Sequence, residues 1–447
     1  MGKGCAGNKS NGWKFTKRER KFLLLWGMPL YFMAAGFLLQ PLSGIGAGLI
    51  RIMEEPDFLI TDYVVIGGIG AALVNASLLA LLCVGIVYGL GMEISGHTIT
   101  SVFLMFGFSL FGKNLLNIWS ILTGVCLYAR YHKTSVKRYI YVGFYGTSLS
   151  PLITQVMRTE HFGPGLGLAL SCVLGIVMGF VLPPLATHTS YFHKGYSLYN
   201  VGFAGGIIAT VVVSVMKSFG LEVQSRLVWH TGSNGTFALL LLILFGGMAG
   251  VPVAANWLSE KKEGSTAGRG SVFRAYKRIL KTSGVSGPDF IEEAGIPATV
   301  LNMGINGLFA TLFVIAVGGD LNGPVVGGIM TIVGFSATGK HIRNIMPVMA
   351  GVYIAGLTKS WEITDPSAML ALLFSTTLAP VAGEFGPLAG MLAGYLHSSV
   401  ALNVGIVYSG MNLYNNGFAG GIVAMFLVPV ILSVRDRRAR ARGGLSL

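Results

Sequence analysis

The chain has 447 residues, of which 53% are hydrophobic and only 11% are charged, and it carries a formal net charge of +14. A mean hydropathy of +0.67, with apolar segments along nearly the whole length, excludes a large water-soluble core and is typical of a polytopic membrane protein. The positive charge does not indicate nucleic-acid binding, because most basic residues lie in short clusters between or beyond the apolar segments.

Taken in chain order, the apolar and basic segments divide the chain into seven parts. These are a basic cytoplasmic tail at 1–21, an unpaired N-terminal helix with an outer loop at 22–61, a first membrane repeat at 62–218, an unpaired bracing helix at 219–257, a basic cytoplasmic linker at 258–286, an inverted second repeat at 287–432 and a basic cytoplasmic tail at 433–447. With ~20 residues for a full crossing, we predict an all-α polytopic membrane protein with about fourteen transmembrane or re-entrant segments.

Two copies of one unit account for most of this length. Leu198–Ala209 reads LYNVGFAGGIIA and Leu413–Ala424 reads LYNNGFAGGIVA, so ten of twelve positions are identical at a displacement of 215. Gly107–Asn114 likewise returns as Gly334–His341, displaced by 227. Long-period duplication inside an apolar chain is how many transporter folds are built.

The basic clusters predict the direction in which each segment crosses. They lie at 3–21, 130–138, 261–281 and 435–442. If all four are cytoplasmic, as the positive-inside rule favours, corresponding segments of the two units cross in opposite directions. We therefore predict two inverted-topology repeats in the bacterial inner (cytoplasmic) membrane, with both termini cytoplasmic. The helices at 22–40 and 237–255 have no partner in the duplication and are interpreted as braces or oligomer contacts.

Short, glycine-broken segments in corresponding positions are the usual pointer to a transport site. Residues 99–111 and 325–338 are short for a full crossing, and each is followed by Gly-Lys, at Lys113 and Lys340. One interpretation is a pair of re-entrant hairpins whose lysines face a polar cavity, which favours an anionic solute. The alternative is a surface turn whose lysine extends to lipid headgroups. Full crossings and re-entrant hairpins both remain open.

The repeated Leu-Tyr-Asn phrase supplies further candidates, because an asparagine both donates and accepts hydrogen bonds and an aromatic ring can form an apolar wall. The candidate substrate-binding residues are Asn200, Asn415, Tyr199, Tyr414, Phe203, Phe418, Ser109, Ser336, Lys113, Lys340, Asn75 and Asn302. For the asparagines, helix capping and interhelical hydrogen bonding are the structural alternatives. His188 and His397 precede the two phrases and are candidates for a proton relay or for anchors at helix ends.

Enzyme and metal signatures are weak in this sequence. It has no His-Glu-x-x-His, no Cys-x-x-Cys and no P-loop lysine followed by serine or threonine. The four cysteines are scattered. We therefore predict no cofactor, no metal and no catalytic residue, although a membrane enzyme acting on lipid or peptide and a purely structural membrane protein remain as alternatives.

The duplicated phrases resemble those of a bacterial membrane-protein family that is known only as a domain of unknown function. A second resemblance is to urea transporters, which are inverted-repeat channels. Pro41–Gly44 is similar to their Asn-Pro-Leu-Ser-Gly signature, with Gln40 in place of the asparagine, and Leu198–Asn200 is similar to a shortened Leu-Tyr-Gly-Tyr-Asn stretch. This resemblance implies urea as one candidate among small polar solutes.

The prediction is thus a transporter or channel for a small polar or anionic solute, with its path at the interface of two inverted repeats. Its expected partners are that solute and membrane lipids, without nucleic acid. A homo-oligomer is left open, as are the identity of the solute and the choice between channel and carrier.

Overall fold

A computed structural model describes residues 17–159, 161–223, 226–263 and 271–442. Most of the N-terminal basic tail, part of the basic linker and the last residues of the C-terminal tail lie outside this description. The α-helices are α1 (Lys17–Leu39), α2 (Leu42–Glu54), α3 (Tyr63–Gly67), α4 (Ile69–Gly89), α5 (Gly96–Phe108), α6 (Trp119–Tyr131), α7 (Ile140–Gly146), α8 (Ser150–Arg158), α9 (Pro164–His193), α10 (Asn200–Ser218), α11 (Asn234–Glu263), α12 (Ser271–Ile279), α13 (Phe290–Ala294), α14 (Ile296–Ala316), α15 (Gly323–Phe335), α16 (Ile342–Thr358), α17 (Pro366–Phe374), α18 (Ala379–Phe385), α19 (Pro387–Val404) and α20 (Asn415–Arg442).

The remaining regular elements are short. Four 3₁₀ helices are η1 (Val136–Arg138), η2 (Thr147–Leu149), η3 (Ser375–Leu378) and η4 (Gly405–Tyr408), and two two-residue strands, β1 (Ile60–Thr61) and β2 (Leu227–Val228), pair in parallel. The 3₁₀ turns η2 and η3 interrupt two spans at corresponding places, between α7 and α8 and between α17 and α18. The chain is therefore an all-α protein, as the sequence predicts.

Length and composition of the helices support a polytopic membrane protein. Within the described residues, eight helices are long and apolar enough to cross a membrane, or nine if α1 and α2 form one span bent by 114°. The other predicted segments are short apolar helices, among them α5 and α15, or halves of broken spans. The count of about fourteen thus includes several pieces that are too short to be simple crossings.

The first three helices of each predicted repeat match one another in detail. Helices α3, α4 and α5 start 227 positions before α13, α14 and α15. Asp62 and Asp289 cap α3 and α13 by accepting hydrogen bonds from the backbone N–H groups of Val64 and Ile291. The duplication in sequence is therefore also a duplication of local structure.

Helices α5 and α15 are equivalent, and they pack against each other in opposite directions. Near the start of α5, the Thr100 hydroxyl donates to the carbonyl of Gly334 at 2.9 Å, close to the end of α15. Gly107, near the end of α5, faces Gly327, near the start of α15, so closely that a Cβ on either glycine would lie under 3.0 Å from the other's carbonyl oxygen. Exchanging the two repeats converts each of these contacts into the other. The contact is therefore two-fold symmetric and antiparallel.

The two ends of the molecule can be named from this contact. The connector end contains residues 282–289, where the N–H of Phe290 donates to the carbonyl of Ala337 at 3.1 Å. The opposite end contains residues 57–62, where the N–H of Tyr63 donates to the carbonyl of Leu110, also at 3.1 Å. The same bond thus closes both units at opposite ends of the molecule.

The helices at 22–40 and 237–255 have no counterpart in the duplicated sequence, but in the structure they pack on equivalent helices. Helix α1 packs antiparallel on α4, with Phe22 against Tyr88 and Gly36 against Gly70. Helix α11 packs in the same way on α14, the equivalent of α4, with Ala249 against Gly304. The sequences of α1 and α11 differ because a helix at this position needs only apolar residues and a small contact face, which many sequences satisfy.

Candidate functional site

Two asparagines on equivalent helices hold the two Gly-Lys turns. The Asn75 amide donates to the carbonyls of Ser109 and Lys113 at 2.7 and 2.9 Å. The Asn302 amide makes the same two bonds, to Ser336 and Lys340, both at 2.8 Å. These bonds satisfy carbonyls left free where α5 and α15 end. Asn75 and Asn302 therefore position the turns.

The lysines of these turns lie in the protein interior. Both Lys113 and Lys340 are fully buried, so the surface-turn alternative, with lysines reaching headgroups, is wrong. The Lys340 ammonium donates to the Tyr199 hydroxyl at 2.5 Å and to the Thr376 hydroxyl at 2.8 Å. The Lys113 ammonium has poorer partners, the carbonyl of Phe144 at 3.2 Å and the sulfur of Met105 at 3.8 Å.

The serine that precedes each lysine forms a hydrogen bond with a backbone carbonyl. The Ser109 hydroxyl donates to the Met105 carbonyl at 2.5 Å, and the Ser336 hydroxyl to the Ile332 carbonyl at 2.8 Å. Both serines are buried and neither lines the cavity described below. Their hydroxyls satisfy local carbonyls at the helix ends.

The Leu-Tyr-Asn phrases meet at the centre of the molecule, where each begins a helix, α10 or α20. The rings of Tyr199 and Tyr414 lie 5.0 Å apart, and those of Phe203 and Phe418 are stacked at 5.9 Å. In both pairs a residue touches its own equivalent, which places the pairs on the pseudo-two-fold axis. The small glycines of the phrase permit this approach, since Gly206 and Gly421 face the rings of Phe418 and Phe203.

Asn200 and Asn415 connect the first residues of α10 and α20 to the preceding long helices, α9 and α19, through hydrogen bonds. The Asn200 amide donates to the Ala186 carbonyl at 2.6 Å, and the Asn415 amide donates to the equivalent Ala401 carbonyl at 2.9 Å. The Asn200 carbonyl accepts from Thr189 and lies 2.9 Å from Nε2 of His193. The Asn415 carbonyl accepts instead from Tyr408, which replaces the histidine.

A cavity of about 550 Å³ lies at the connector end of this centre. Its wall includes three groups of residues: aromatic side chains, polar side chains, and backbone near the connector. They are Tyr145, Tyr199, Phe335 and Tyr414; His97, His193, Ser197 and Asn200; and Gly195, Ser286 and Gly287. Exposed Tyr191 and Lys194 also line it, so the cavity communicates with the surface at this end and reaches the tyrosine pair.

The equivalent region at the opposite end is filled. Phe108, Phe111 and Phe374 take the places of Phe335, Thr338 and Tyr145, and all three are buried. The Phe108 ring contacts those of Phe111, Phe374 and Tyr414 at 5.3, 5.8 and 4.8 Å. One half of the symmetric interface is therefore open, while the corresponding space in the other half is filled by phenylalanine rings.

The two predicted relay histidines lie apart from the cavity. His188 is on the exposed surface of α9, beside Tyr191 and Phe192. His397 is buried on α19, with Nε2 3.2 Å from the carbonyl of Asn416. The histidines at the cavity are instead His97 and, on α9, His193; the sequence analysis missed His193. Applying the displacement of 215 would have paired it with Tyr408 rather than with another histidine.

A second buried polar cluster at the opposite end was also missed. The Asp57 carboxylate accepts from Tyr63 at 2.7 Å, from Asn117 at 3.0 Å and from Thr154 at 3.4 Å. Burial raises the pKa of the Asp57 carboxyl to about 8, although these hydrogen bonds act to lower it. The equivalent of Asp57 is Gly284, so the duplication gives no signal for this residue.

The described residues contain no group of three or more histidine, cysteine or acidic side chains that could hold a metal ion. The long apolar helices and buried polar centre define the class of the protein, which is a helical membrane-spanning protein.

The model of a family described as a protein of unknown function (DUF1576) matches residues 40–218 and 269–433, more than half of the chain. The chain belongs to this family, which confirms the resemblance to a family of unknown function. Helices α1 and α11 both lie outside the matched segments. No curated protein and no solved structure matches the chain, so the resemblance to urea transporters gains no support.

Proposed function

We propose that this protein transports a small polar or anionic solute across a membrane, along a path at the interface of two inverted repeats. The observation that carries the proposal is the cavity of about 550 Å³ that reaches from one end to the pseudo-two-fold axis. Ligand sites of inverted-repeat transporters lie at such interfaces near the middle of the bilayer. The function is inferred from this site, since a fold alone does not establish one.

The antiparallel contact between α5 and α15 supports the inverted arrangement. Equivalent helices that run in opposite directions require a two-fold axis perpendicular to them, which lies in the membrane plane if these helices cross it. The family match supplies no substrate. The solute, the inverted topology and the transport activity are therefore parts of one proposal.

The unequal ends of the interface favour a carrier over an open channel. The connector end is open as far as Tyr199 and Tyr414, whereas Phe108 and Phe374 fill the corresponding space at the other end. Alternating access exchanges these two arrangements by moving one unit against the other. The structure would then represent the state that is open to the connector end.

The distribution of charge supports a cytoplasmic connector end in a bacterial inner membrane. Basic residues occur beside it, in the 130–138 turn near Gly91 and in α12. Acidic residues occur at the opposite end, where Glu55 pairs with Arg226 and Asp320 accepts from Trp229. Because the positive-inside rule counts lysine and arginine rather than acidic residues, the basic clusters support the proposal that the connector end and both termini are cytoplasmic.

The test is uptake of radiolabelled small solutes into proteoliposomes that contain the purified protein. A carrier gives saturable uptake that is accelerated when the vesicles are preloaded with the same solute, whereas a channel gives no such acceleration. Lys340→Met is expected to reduce uptake. Its matched control, Lys359→Met, alters a lysine that donates to Ser398 and Ser399 away from the cavity and should retain uptake.

Topology is tested separately with a membrane-impermeant thiol reagent and single cysteines in a variant whose native cysteines are serines. Ser286→Cys, at the cavity, should react from the cytoplasmic side, and Ser233→Cys, near the start of α11, from the other side. Labelling of both positions from one side would contradict the inverted arrangement. A lipid or peptide product without net uptake would favour an enzyme instead.

A further inference from the structure

Unsatisfied polar groups collect around one of the two buried lysines. In the Lys113 half of the interface, the Tyr414 hydroxyl, the Ser148 hydroxyl and the Asn412 amide nitrogen are buried and have no hydrogen-bond partner among the residues that the structure describes. The three residues are adjacent, because Leu413, between Asn412 and Tyr414, donates its N–H to the Ser148 carbonyl at 3.1 Å. Phe108 lies between these residues and Lys113: the centre of its ring is 5.0 Å from the Lys113 ammonium and 4.8 Å from the centre of the Tyr414 ring.

The equivalent groups in the Lys340 half are all paired. The Tyr199 hydroxyl, which corresponds to that of Tyr414, accepts from Lys340. The Thr377 hydroxyl, at the position of Ser148, accepts from the Tyr199 N–H at 3.0 Å and bonds Ser197 at 3.1 Å. Ser197 takes the place of Asn412. The equivalent polar groups are therefore all hydrogen-bonded in the Lys340 half, whereas those in the Lys113 half lack partners among the described residues.

The three unpaired groups and the neighbouring Lys113 ammonium share one chemical character, since each can donate hydrogen bonds. An amide nitrogen and an ammonium can only donate hydrogen bonds, and two hydroxyls are free to donate. Lys113 takes part in neither ion pair found among the described residues, which join Arg226 to Glu55 and Arg435 to Glu384. Unpaired buried acceptors occur at the amide oxygens of Asn302 and Asn306 in the other half, and at the amide oxygen of Asn416, two positions after Tyr414.

Leaving such donors unpaired in a low-dielectric interior is costly, because each loses its hydrogen bonds to water without replacement. An intramembrane lysine without an acidic partner is by default a functional group. A ligand that supplies acceptor atoms and a negative charge removes both penalties together. A neutral ligand satisfies the hydrogen bonds but leaves the lysine without a counter-charge.

We propose that the Lys113 half binds the anionic group of the transported solute, a carboxylate or an inorganic oxyanion, through Lys113, Tyr414, Ser148 and Asn412. This inference rests on the proposed function and specifies its substrate class. Tyr414 lines the cavity from the connector end, so it is the first of the four groups that an entering solute meets. The filled space around Phe108 lies beyond it.

The experiment measures thermal unfolding of the purified full-length protein in detergent during titration with formate, acetate, nitrate or phosphate. Formamide and acetamide serve as neutral isosteres of the two carboxylates. At least one anion is expected to raise the midpoint saturably, while the amides do not. Titration of every variant at the same salt concentrations separates specific binding from general salt effects.

Two variants test the site. Lys113→Met should abolish the saturable shift, whereas Lys359→Met should retain it. Tyr414→Phe is the second variant because it removes a hydroxyl without a partner and should not harm folding. It should weaken anion binding by about tenfold or more, as expected for loss of one hydrogen bond to a charged group. The same shift in Tyr414→Phe and wild type would overturn the proposal, as would no saturable shift with any of the four anions.

These outcomes are distinguishable from failure of the transport proposal. If a neutral solute is taken up by proteoliposomes while no anion binds, transport stands and the anion site is wrong. If an anion binds with the expected dependence on Lys113 and Tyr414 but no solute crosses the membrane, the site stands and the transport function is wrong.

Discussion

The two central tyrosines should respond in opposite ways to loss of their hydroxyl groups. Tyr199 and Tyr414 are equivalent in sequence, and both are almost fully buried. The hydroxyl of Tyr199 accepts from the Lys340 ammonium at 2.5 Å, whereas the hydroxyl of Tyr414 has no partner within the described part of the chain. Phenylalanine at each position keeps the ring and removes only the hydroxyl, so the two substitutions form a matched pair.

The structure gives the expected size of each effect. Tyr199→Phe leaves Lys340 with Thr376 as its remaining hydrogen-bond partner, and we expect it to lower the free energy of unfolding by about 1–3 kcal/mol. Tyr414→Phe removes an unpaired buried hydroxyl and should leave that free energy unchanged or raise it by up to about 3 kcal/mol. The difference between the two variants is therefore at least about 1 kcal/mol.

The measurement is equilibrium unfolding in mixed micelles as the mole fraction of a denaturing detergent rises, followed by tryptophan fluorescence and far-ultraviolet circular dichroism. The titration is performed without added anion ligands, since these would stabilise the variants unequally. Equal destabilisation by both substitutions would refute the reasoning, because it would mean that the Tyr414 hydroxyl contributes a bond equivalent to that of Tyr199.

Three further predictions concern other parts of the molecule. Burial raises the pKa of Asp57 to about 8, so the folded protein binds this proton more tightly than the unfolded chain does. The unfolding midpoint of the protein should therefore fall as the pH rises from about 4 to about 8. Asp57→Asn should remove the part of this pH dependence that Asp57 causes. Gly124→Leu should abolish folded protein, as judged by gel filtration in detergent, because a Cβ there would lie 2.2 Å from the Ile176 carbonyl, while Gly247→Ala, with nothing within 4 Å, should be tolerated. Asn302→Ala should lower the unfolding free energy by about 1–3 kcal/mol in the detergent titration, since it removes the bonds to Ser336 and Lys340; an unchanged midpoint would show that the turn holds without them.

Much of the architecture follows from the duplication, which is visible in the residues alone. The displacement of 227 relates Asn75 to Asn302 and Lys113 to Lys340, and the structure gives both pairs the same backbone surroundings. Alternating charge along the chain predicts opposite directions for the two units. Helices α5 and α15 pack antiparallel in the structure, and the direction of each unit across a membrane stays a prediction.

Burial of the lysines could not be predicted in this way. A Gly-Lys turn has the same sequence signature at a headgroup surface and in a protein interior. What decides its position is the set of residues that cover it, such as Phe144 over Lys113 and Thr376 over Lys340. These residues come from later segments, and only the packed structure brings them to the turns.

The difference in hydrogen bonding between the two halves of the interface could not be predicted from the sequence either. Sequence comparison emphasises identical residues, whereas the unequal hydrogen bonding arises at positions that diverged, with Ser148 opposite Thr377 and Asn412 opposite Ser197. The correspondence of α1 with α11 was missed for a related reason. A helix packed along one face leaves most positions free to vary among apolar residues, so its sequence loses the trace of the duplication.

The pairing of α5 with α15 also has a consequence for biosynthesis. Gly107 of α5 packs on Gly327 of α15, yet α15 leaves the ribosome 227 residues after α5. At translation rates of ~5–20 residues per second, α5 is synthesised about 10–45 s before α15. During that interval, a chaperone, the insertion machinery or another nascent chain must shield it.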